Sequence, residues 1–355
     1  MKSILLKSRV FIIIAICILF VSCENNRVVT NYSNFPVQVD MAKFLQSNPT
    51  LDFCYMPVEI LSFDSLLVIL ELKDVNASFR IYRKDSYNLV SSFVKRGNGP
   101  NEYLAPAYPK MDHPHNMLWF LDLPKATLFG FTIKDIINSN SEVTPKKSIK
   151  IDRQLLPFWD YHVMQDTSIL LPTSVDNSIF TLIGAEGQVI KTYGRADEKS
   201  YNLSNPQINY FYSKTFSVSD SLGEIVCFYK YSDKQIKYSL NSNKIELFFG
   251  KYFKERTPIL LNTGGIDITY LSFSRVKRYG KYLYSVYDGM EIKGKGKERS
   301  STVLVFDWNV KPIAVLSFPN SIIDFTIDEK KVYLLTADLE NPLQVYSFDT
   351  SVFKE

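Results

Sequence analysis

Histidine, cysteine and long apolar runs are all scarce in this chain. Three histidines in 355 residues leave few bases for a Ser-His-Asp or Cys-His arrangement, which needs an imidazole beside its nucleophile. No nucleophile elbow and no glycine-rich phosphate loop occurs, so neither a serine-hydrolase nor a nucleotide-binding reading has a motif to stand on, and no cofactor is expected. The one long apolar run, Val10 to Val21, has twelve residues, too few for a bilayer-spanning helix of ~20. Four cysteines do not make a disulfide framework. Cys17 lies in the apolar run and Cys23 just beyond it, leaving Cys54 and Cys227.

What the N-terminus has instead is a leader. Lys2, Lys7 and Arg9 precede the apolar run, the arrangement of a signal peptide. Phe20-Val21-Ser22-Cys23 follows, resembling a lipobox in which the Cys23 thiol takes the lipid and becomes the mature N-terminus; Phe20 stands where Leu is commonest. An ordinary secretory signal or an uncleaved anchor is the alternative. The expected division is residues 1–22 as leader, 23–33 as lipidated Cys23 with a polar tether, and 34–355 as the folded domain. Loss of the leader takes the formal charge from +4 to +1. The basic bias is therefore mostly targeting signal, and the footprint of a nucleic-acid binder is missing.

The mature chain carries a repeat. Strongly apolar strands begin at Leu66, Met117, Ser168, Glu224, Tyr282 and Lys331, separated by 49 to 58 residues. Tight turns of Asp, Ser or Gly separate them from further short strands. Strands end on glycine at Lys191-Thr192-Tyr193-Gly194 and Leu247-Phe248-Phe249-Gly250. The sharpest join is Gly97-Asn98-Gly99-Pro100-Asn101-Glu102-Tyr103: Gly97 and Gly99 tolerate positive φ, and Pro100 has no N–H for a ladder. Glu102 is expected to hold nearby N–H groups and fix this crossover, with ligand binding as the other reading. The sixth unit has three strands, Ile322 to Ile327, Lys331 to Thr336 and Leu343 to Phe348, and the unassigned segment Phe35 to Val39 is expected to complete it. Radially repeated units closed by the opposite end of the chain describe an all-β, six-bladed β-propeller. A pair of β-sandwiches or a β-helix would not give a period near fifty. The repeat sets Cys54 and Cys227 too far apart for a bridge, which tolerates ~7 Å between Cα atoms; two unpaired thiols are expected, Cys227 inside a strand from Ile225 to Tyr229.

The lipobox, the sixfold repeat and the Gly97–Tyr103 phrase resemble the TolB-like six-bladed β-propeller lipoproteins of Gram-negative bacteria, whose first blades often end in Gly-x-Gly-Pro-x-Glu-aromatic. The resemblance covers nearly the whole mature chain. It implies a propeller anchored in the envelope and no established general activity.

Five clusters are candidates for function. Asp112-His113-Pro114-His115 has metal-ligand residue types but no third or fourth ligand at a suitable spacing, so no metal is expected and a solvated loop is the alternative. His162 falls where the inner strand of the third blade should begin; it either faces the channel or is a structural histidine. Tyr210 and Tyr212, before the fourth blade, offer aromatic contact area with polar tips; packing between blades is the alternative. Lys293, Lys295 and Lys297 lie in a basic glycine-rich segment suited to lipid headgroups, acidic glycans or a protein, or simply to solvent. Glu102 is the fifth. Together these lead us to expect a non-enzymatic, monomeric binding module for a peptide, glycan or envelope protein. It would be held to the outer membrane by the lipid, on the periplasmic face. A hydrolase or lyase with its site at the channel mouth is the alternative.

Overall fold

Strands dominate because the apolar stretches are short, rich in β-branched and aromatic residues, and interrupted every few residues by turn formers. The computed structural model describes residues 28–31, 34–139, 143–173, 177–195, 201–292, 300–328, 330–338 and 340–353. Six sheets surround one axis. Blade 1 runs from its inner to its outer strand as Pro57–Phe63, Leu66–Glu71, Phe79–Arg83 and Leu89–Phe93. Blade 2 is Pro106–Asp112, Met117–Asp122, Thr127–Thr132 and Lys147–Lys150, and blade 3 is His162–Val163, Ile169–Leu171, Phe180–Ile183 and Val189–Tyr193. Blade 4 is Lys214–Ser219, Glu224–Tyr229, Lys234–Ser239 and Ile245–Phe249, and blade 5 is Tyr270–Tyr279, Tyr282–Glu291, Thr302–Asp307 and Pro312–Ser317. Blade 6 is Ile322–Asp328, Lys331–Thr336, Leu343–Ser347 and, from the N-terminus, Leu45–Ser47.

The core is divided among the six interfaces between blades. Phe79 and Phe93 of blade 1 pack on Phe120 and Phe131 of blade 2. Trp119 and Leu121 meet Ile169 and Leu171, and Phe180 meets Phe216 and Tyr238. Phe228 packs on Phe273 and Phe306, Tyr284 on Leu334 and Phe348, and Tyr333 with Leu335 on Leu67 and Tyr82. Second strands are sandwiched on both faces, which is why Leu66–Glu71 and Met117–Asp122 are buried at every position and read as continuous apolar runs.

An N-terminal strand closes the last blade, as expected, but not the expected one. Leu45–Ser47 pairs antiparallel with Leu343–Ser347. Val37–Asp40 instead adds a fifth, parallel strand to blade 5, Val37 lying opposite Ala314; half-buried Val37 and Val39 pack on the blade 5–6 core there. Leu45-Gln46-Ser47 is short and exposed and offers no alternation to read. Val28–Asn31, within the expected tether, likewise pairs in parallel with the outer strand of blade 4. The sequence also gave no sign of the inner strand Pro106–Asp112, because it carries two prolines, nor of the short helices Ile133–Asn138 and Asn205–Phe211. Neither Cys54 nor Cys227 is in a disulfide, and both are buried.

The Gly97–Tyr103 phrase is a crossover held from within. Glu102 Oε2 accepts the Gly99 N–H at 2.8 Å, Oε1 lies 2.7 Å from Lys95 Nζ, and the Gly97 N–H donates to the Tyr103 carbonyl at 3.0 Å. The Lys95 ammonium and the Gly99 N–H hold the Glu102 carboxyl below its usual range. A Cβ at Gly97 would sit 2.1 Å from that carboxylate, so a side chain there displaces the clasp. Pro100 lies exposed at the turn, and Tyr103 drives its ring between Phe120 and Phe129.

Gly130 lies opposite Trp119 in blade 2, and a Cβ there would come within 2.8 Å of the buried indole. Gly130→Ala is expected to destabilise the protein by about 1–3 kcal/mol through overpacking. A denaturant midpoint unchanged from wild type would refute this account of the position.

Candidate functional site

An inner strand of a propeller is an edge strand, with a row of N–H and C=O groups that its own blade leaves unpaired. Four of the six break register with their second strands: between Pro57 and Glu59, Ala107 and Lys110, Ser274 and Val276, and Ile322 and Asp324. Such bulges re-aim side chains. Tyr108 and Arg275, inside two of them, both have φ of 53°, a costly backbone for non-glycine residues. Pro109 is tolerated because the bulged position has no ladder bond to lose. The polar residues beside these bulges converge near the axis, at the end where the inner strands begin.

Three buried carboxylates organise this end. Asp324 Oδ2 accepts the Ile60 N–H of blade 1 at 2.9 Å and lies 3.3 Å from Lys277 Nζ of blade 5; its Oδ1 is 3.9 Å from Arg275 Nε. Asp160 accepts N–H groups of Tyr161 at 2.9 Å and of Phe216, in blade 4, at 3.0 Å, with Lys110 Nζ of blade 2 at 2.5 Å. Glu59 accepts the Tyr108 N–H at 3.3 Å and pairs with Arg275 Nη1 at 3.0 Å. Burial pushes the Glu59 carboxyl up, opposed by Arg275. Thr215 Oγ1 completes the circuit by accepting the Val276 N–H at 3.3 Å.

A cavity of about 240 Å³ opens above this layer, lined by Glu59, Tyr108, Lys110, Trp159, Lys230 and Arg275 among others. Lys230, at the end of the second strand of blade 4, has no carboxylate within 4 Å among the described residues. Its Nζ lies 4.3 Å from the Trp159 ring centroid and 5.9 Å from that of Tyr231. Burial, reinforced by Arg275, pulls its pKa down to about 8. The Trp159 ring meets Tyr108 and Tyr210, each at 5.9 Å, and Tyr210 meets Tyr231 at 5.8 Å. Trp159 Nε1 is buried without a hydrogen-bond partner. Two wider, more open depressions, of about 700 and 730 Å³, lie around Asp64, Lys84 and Asp328 and around Phe35, Gln38 and Tyr252. Of the three, the axial cavity is the one that gathers charged groups from the inner strands of blades 1, 2 and 5.

Of the described sequence candidates, the structure brings Tyr210 up behind the aromatic wall of this cavity, against Trp159, and places His113, His115, His162 and Tyr212 away from its lining. Tyr210, on the helix Asn205–Phe211 capped by Ser204 and Gln207, joins the aromatic wall. Tyr212 turns instead toward Phe211, 4.9 Å away, and the core between blades 3 and 4. His162 is on the inner strand of blade 3, as expected, but its Nε2 lies 3.7 Å from Asp220 Oδ2, and it does not line the cavity. His113 is exposed in the turn at the far end of its inner strand, its ring 5.3 Å from Phe63; His115 Nδ1 is 2.9 Å from Asp112. No group of three or more metal-ligating side chains occurs among the described residues. Lys293, Lys295, Lys297 and Cys23 lie outside the described residues. Sequence reasoning missed Glu59, Lys110, Trp159, Asp160, Lys230, Arg275 and Asp324. The available signal was a charged residue recurring near the start of successive units.

The family model described as TolB-like 6-blade propeller-like matches residues 36–330. Among solved structures, a protein from Bacteroides fragilis described as exported superposes with a TM-score of 0.57 at 14% identity, over 90% of this chain and 99% of its own. A member of the DUF4221 family from Bacteroides vulgatus gives a TM-score of 0.53 at 12% identity, over 86% and 95%. At these identities the likeness is one of fold. No curated protein matches the sequence.

Two outcomes follow from the charge layer. Asp324→Ala strips a fully buried acceptor from the Ile60 N–H and leaves Lys277 facing Arg275. It is expected to cost about 3–5 kcal/mol in urea unfolding, and a loss below 1 kcal/mol would contradict the clasp. Lys230 titrates near 8 when folded and near 10.4 when unfolded. Between these values the unfolded chain holds more protons, so this group's contribution to stability rises with pH across that window. The urea midpoint of wild type relative to Lys230→Met should therefore climb from pH 7 to pH 10. A flat or falling difference would show that Lys230 is not desolvated.

Proposed function

Because the chain belongs to the TolB-like six-bladed propeller family, we propose that it is a lipid-anchored envelope binding module that receives a protein, peptide or glycan at the mouth of its central channel. The observation that carries the reading is Lys230, a desolvated cation beside an unpartnered indole N–H, on a cavity whose carboxylates are already engaged by backbone and side-chain donors. Such a site has recognition groups in place, and the two carboxylates that line it, Glu59 and Asp160, are each paired with a cation. Aromatic and cationic groups of this kind dominate the energetics of recognition surfaces. The address is supported by the basic leader, the lipobox at Cys23 and the exported relative from Bacteroides fragilis. Among the described residues no helix is long and apolar enough to cross a membrane. On this reading the Cys23 lipid holds the propeller to the outer membrane on its periplasmic face.

A hydrolase or lyase is favoured by one observation: Lys230 lines the cavity beside the Trp159 and Tyr231 rings, where burial pulls its pKa down to about 8 and so favours a neutral amine able to take a proton. The test separates the two. The full chain, purified in detergent and immobilised, is expected to retain a saturable component of solubilised envelope, and Trp159→Ala with Lys230→Gln to reduce retention at least tenfold. Retention that ignores both substitutions removes the channel mouth from the binding reading. Turnover of any glycan or ester substrate, lost in Lys230→Gln, replaces binding with catalysis. Cys23→Ser should release the chain from membranes.

A further inference from the structure

We infer that the mouth cavity takes a six-membered ring bearing a single carboxylate, a uronic-acid type of sugar, with its ring against Tyr108 and Trp159 and its carboxylate toward Lys230. This rests on the channel-mouth reading and narrows it to a ligand class.

Charge comes first. Around the axis stand four cations, Lys110, Lys230, Arg275 and Lys277, and three carboxylates, Glu59, Asp160 and Asp324. Arg275 is committed to Glu59, Lys277 to Asp324 and Lys110 to Asp160. Lys230 is the cation of this layer without a carboxylate within ion-pair distance among the described residues; Asp288 acts on it only from beyond that distance, so direct pairing is open there to one anionic group. A dianion such as phosphate would bring a second charge for which no uncommitted cation remains.

The wall and the size select the rest. Tyr108 and Trp159 present ring surface at the cavity, and a pyranose offers C–H groups to such surface while keeping its hydroxyls at the edge. Trp159 Nε1 is buried with no hydrogen-bond partner, so the indole that lines the cavity keeps its donor unused. Lys230 stands 4.3 Å from the same indole, so ring surface and cation are presented side by side. The cavity of about 240 Å³ has room for one substituted ring and lies below the ~300–1,000 Å³ usual for larger ligands. Glu59, Asp160 and Asp288 act electrostatically on Lys230, opposed by Arg275. The Trp159 and Tyr231 rings face it directly, with Tyr210 behind them. A carboxylate bound there would hold the Lys230 proton.

The experiment is calorimetric titration of the detergent-purified full chain with glucuronate and galacturonate, set against glucose and inorganic phosphate. Trigalacturonate distinguishes a free acid from the end of a polymer. Both uronates are expected to bind saturably, with glucose and phosphate at least tenfold weaker. Lys230→Gln should weaken uronate binding about tenfold, while Lys230→Arg retains it. From pH 7 to pH 9 the protonated fraction of a group titrating near 8 falls from ~0.9 to ~0.1, so wild-type affinity should drop about tenfold and Lys230→Arg should not follow. Glucose or phosphate binding as tightly as the uronates, or no saturable uronate binding at all, overturns the acidic-sugar class. If envelope retention stays sensitive to Trp159→Ala in that case, the channel-mouth reading survives; if retention is insensitive as well, both fall.

Discussion

Buried carboxylates that accept backbone N–H groups across blade boundaries are the interaction on which the rest of this structure depends. A propeller closes its outer edges by repetition, but its inner strands face one another around the axis with unpaired backbone. Burying those groups without partners would cost about 1–3 kcal/mol each. Asp324 reaches from blade 6 to Ile60 in blade 1, Asp160 from the start of blade 3 to Phe216 in blade 4, and Glu59 from blade 1 to Tyr108 in blade 2. Each therefore satisfies an edge and joins two blades. Asp233 does a related job between blades 4 and 5, accepting from the hydroxyls of Tyr270, Ser272 and Tyr287 and from the Tyr252 N–H.

The same device shapes what the site can do. A carboxylate buried to hold backbone needs a cation nearby, and Arg275, Lys277 and Lys110 supply that need. Those cations are then spoken for, which leaves Lys230 facing the aromatic wall with no carboxylate within ion-pair distance among the described residues. Desolvation of Lys230 follows from the packing of Trp159 and Tyr231 around it, and that packing follows from the helix Asn205–Phe211, which carries Tyr210 into contact with both. Structural closure and the character of the cavity are consequences of one arrangement of charges.

How far the chain could be read from its sequence follows the same division. Inter-blade packing depends on runs of apolar residues, so the sixfold period, the glycine strand ends at Gly194 and Gly250 and the three-stranded last unit were legible. The axial layer depends on contacts between distant residues: 264 positions separate Ile60 from Asp324. Each partner appears locally as one charge in an otherwise apolar strand. The prolines of Pro106–Asp112 conceal a strand, because bulges and edges tolerate a residue that a central ladder does not. Tyr210 was legible as an aromatic in a loop-like segment, whereas its helix and its neighbour Trp159 were not. His113 stood out by its metal-ligand neighbours and His162 by its place at the start of an inner strand, and neither signal carries information about where a side chain points.

Strain marks the same layer from another direction. Positive φ at Tyr108 and Arg275 costs of order 1–3 kcal/mol at each residue, and the bulges forfeit ladder hydrogen bonds besides. A fold optimised only for stability would straighten these strands and fill the axis with aliphatic side chains, as the second strands do at Leu66–Glu71. The inter-blade aromatic contacts, Phe79 on Phe120 and Phe228 on Phe306 among them, supply burial that offsets the cost. Straightening the inner strand of blade 2 would rotate Tyr108 out of register with Trp159, and straightening that of blade 5 would withdraw Arg275 from Glu59. Positive φ recurs at turns elsewhere in the chain, as at Asp64 and Asn116, but at Tyr108 and Arg275 it falls on residues that line the cavity, and closure of the ring through Asp324 and Asp160 holds those bulged strands in place.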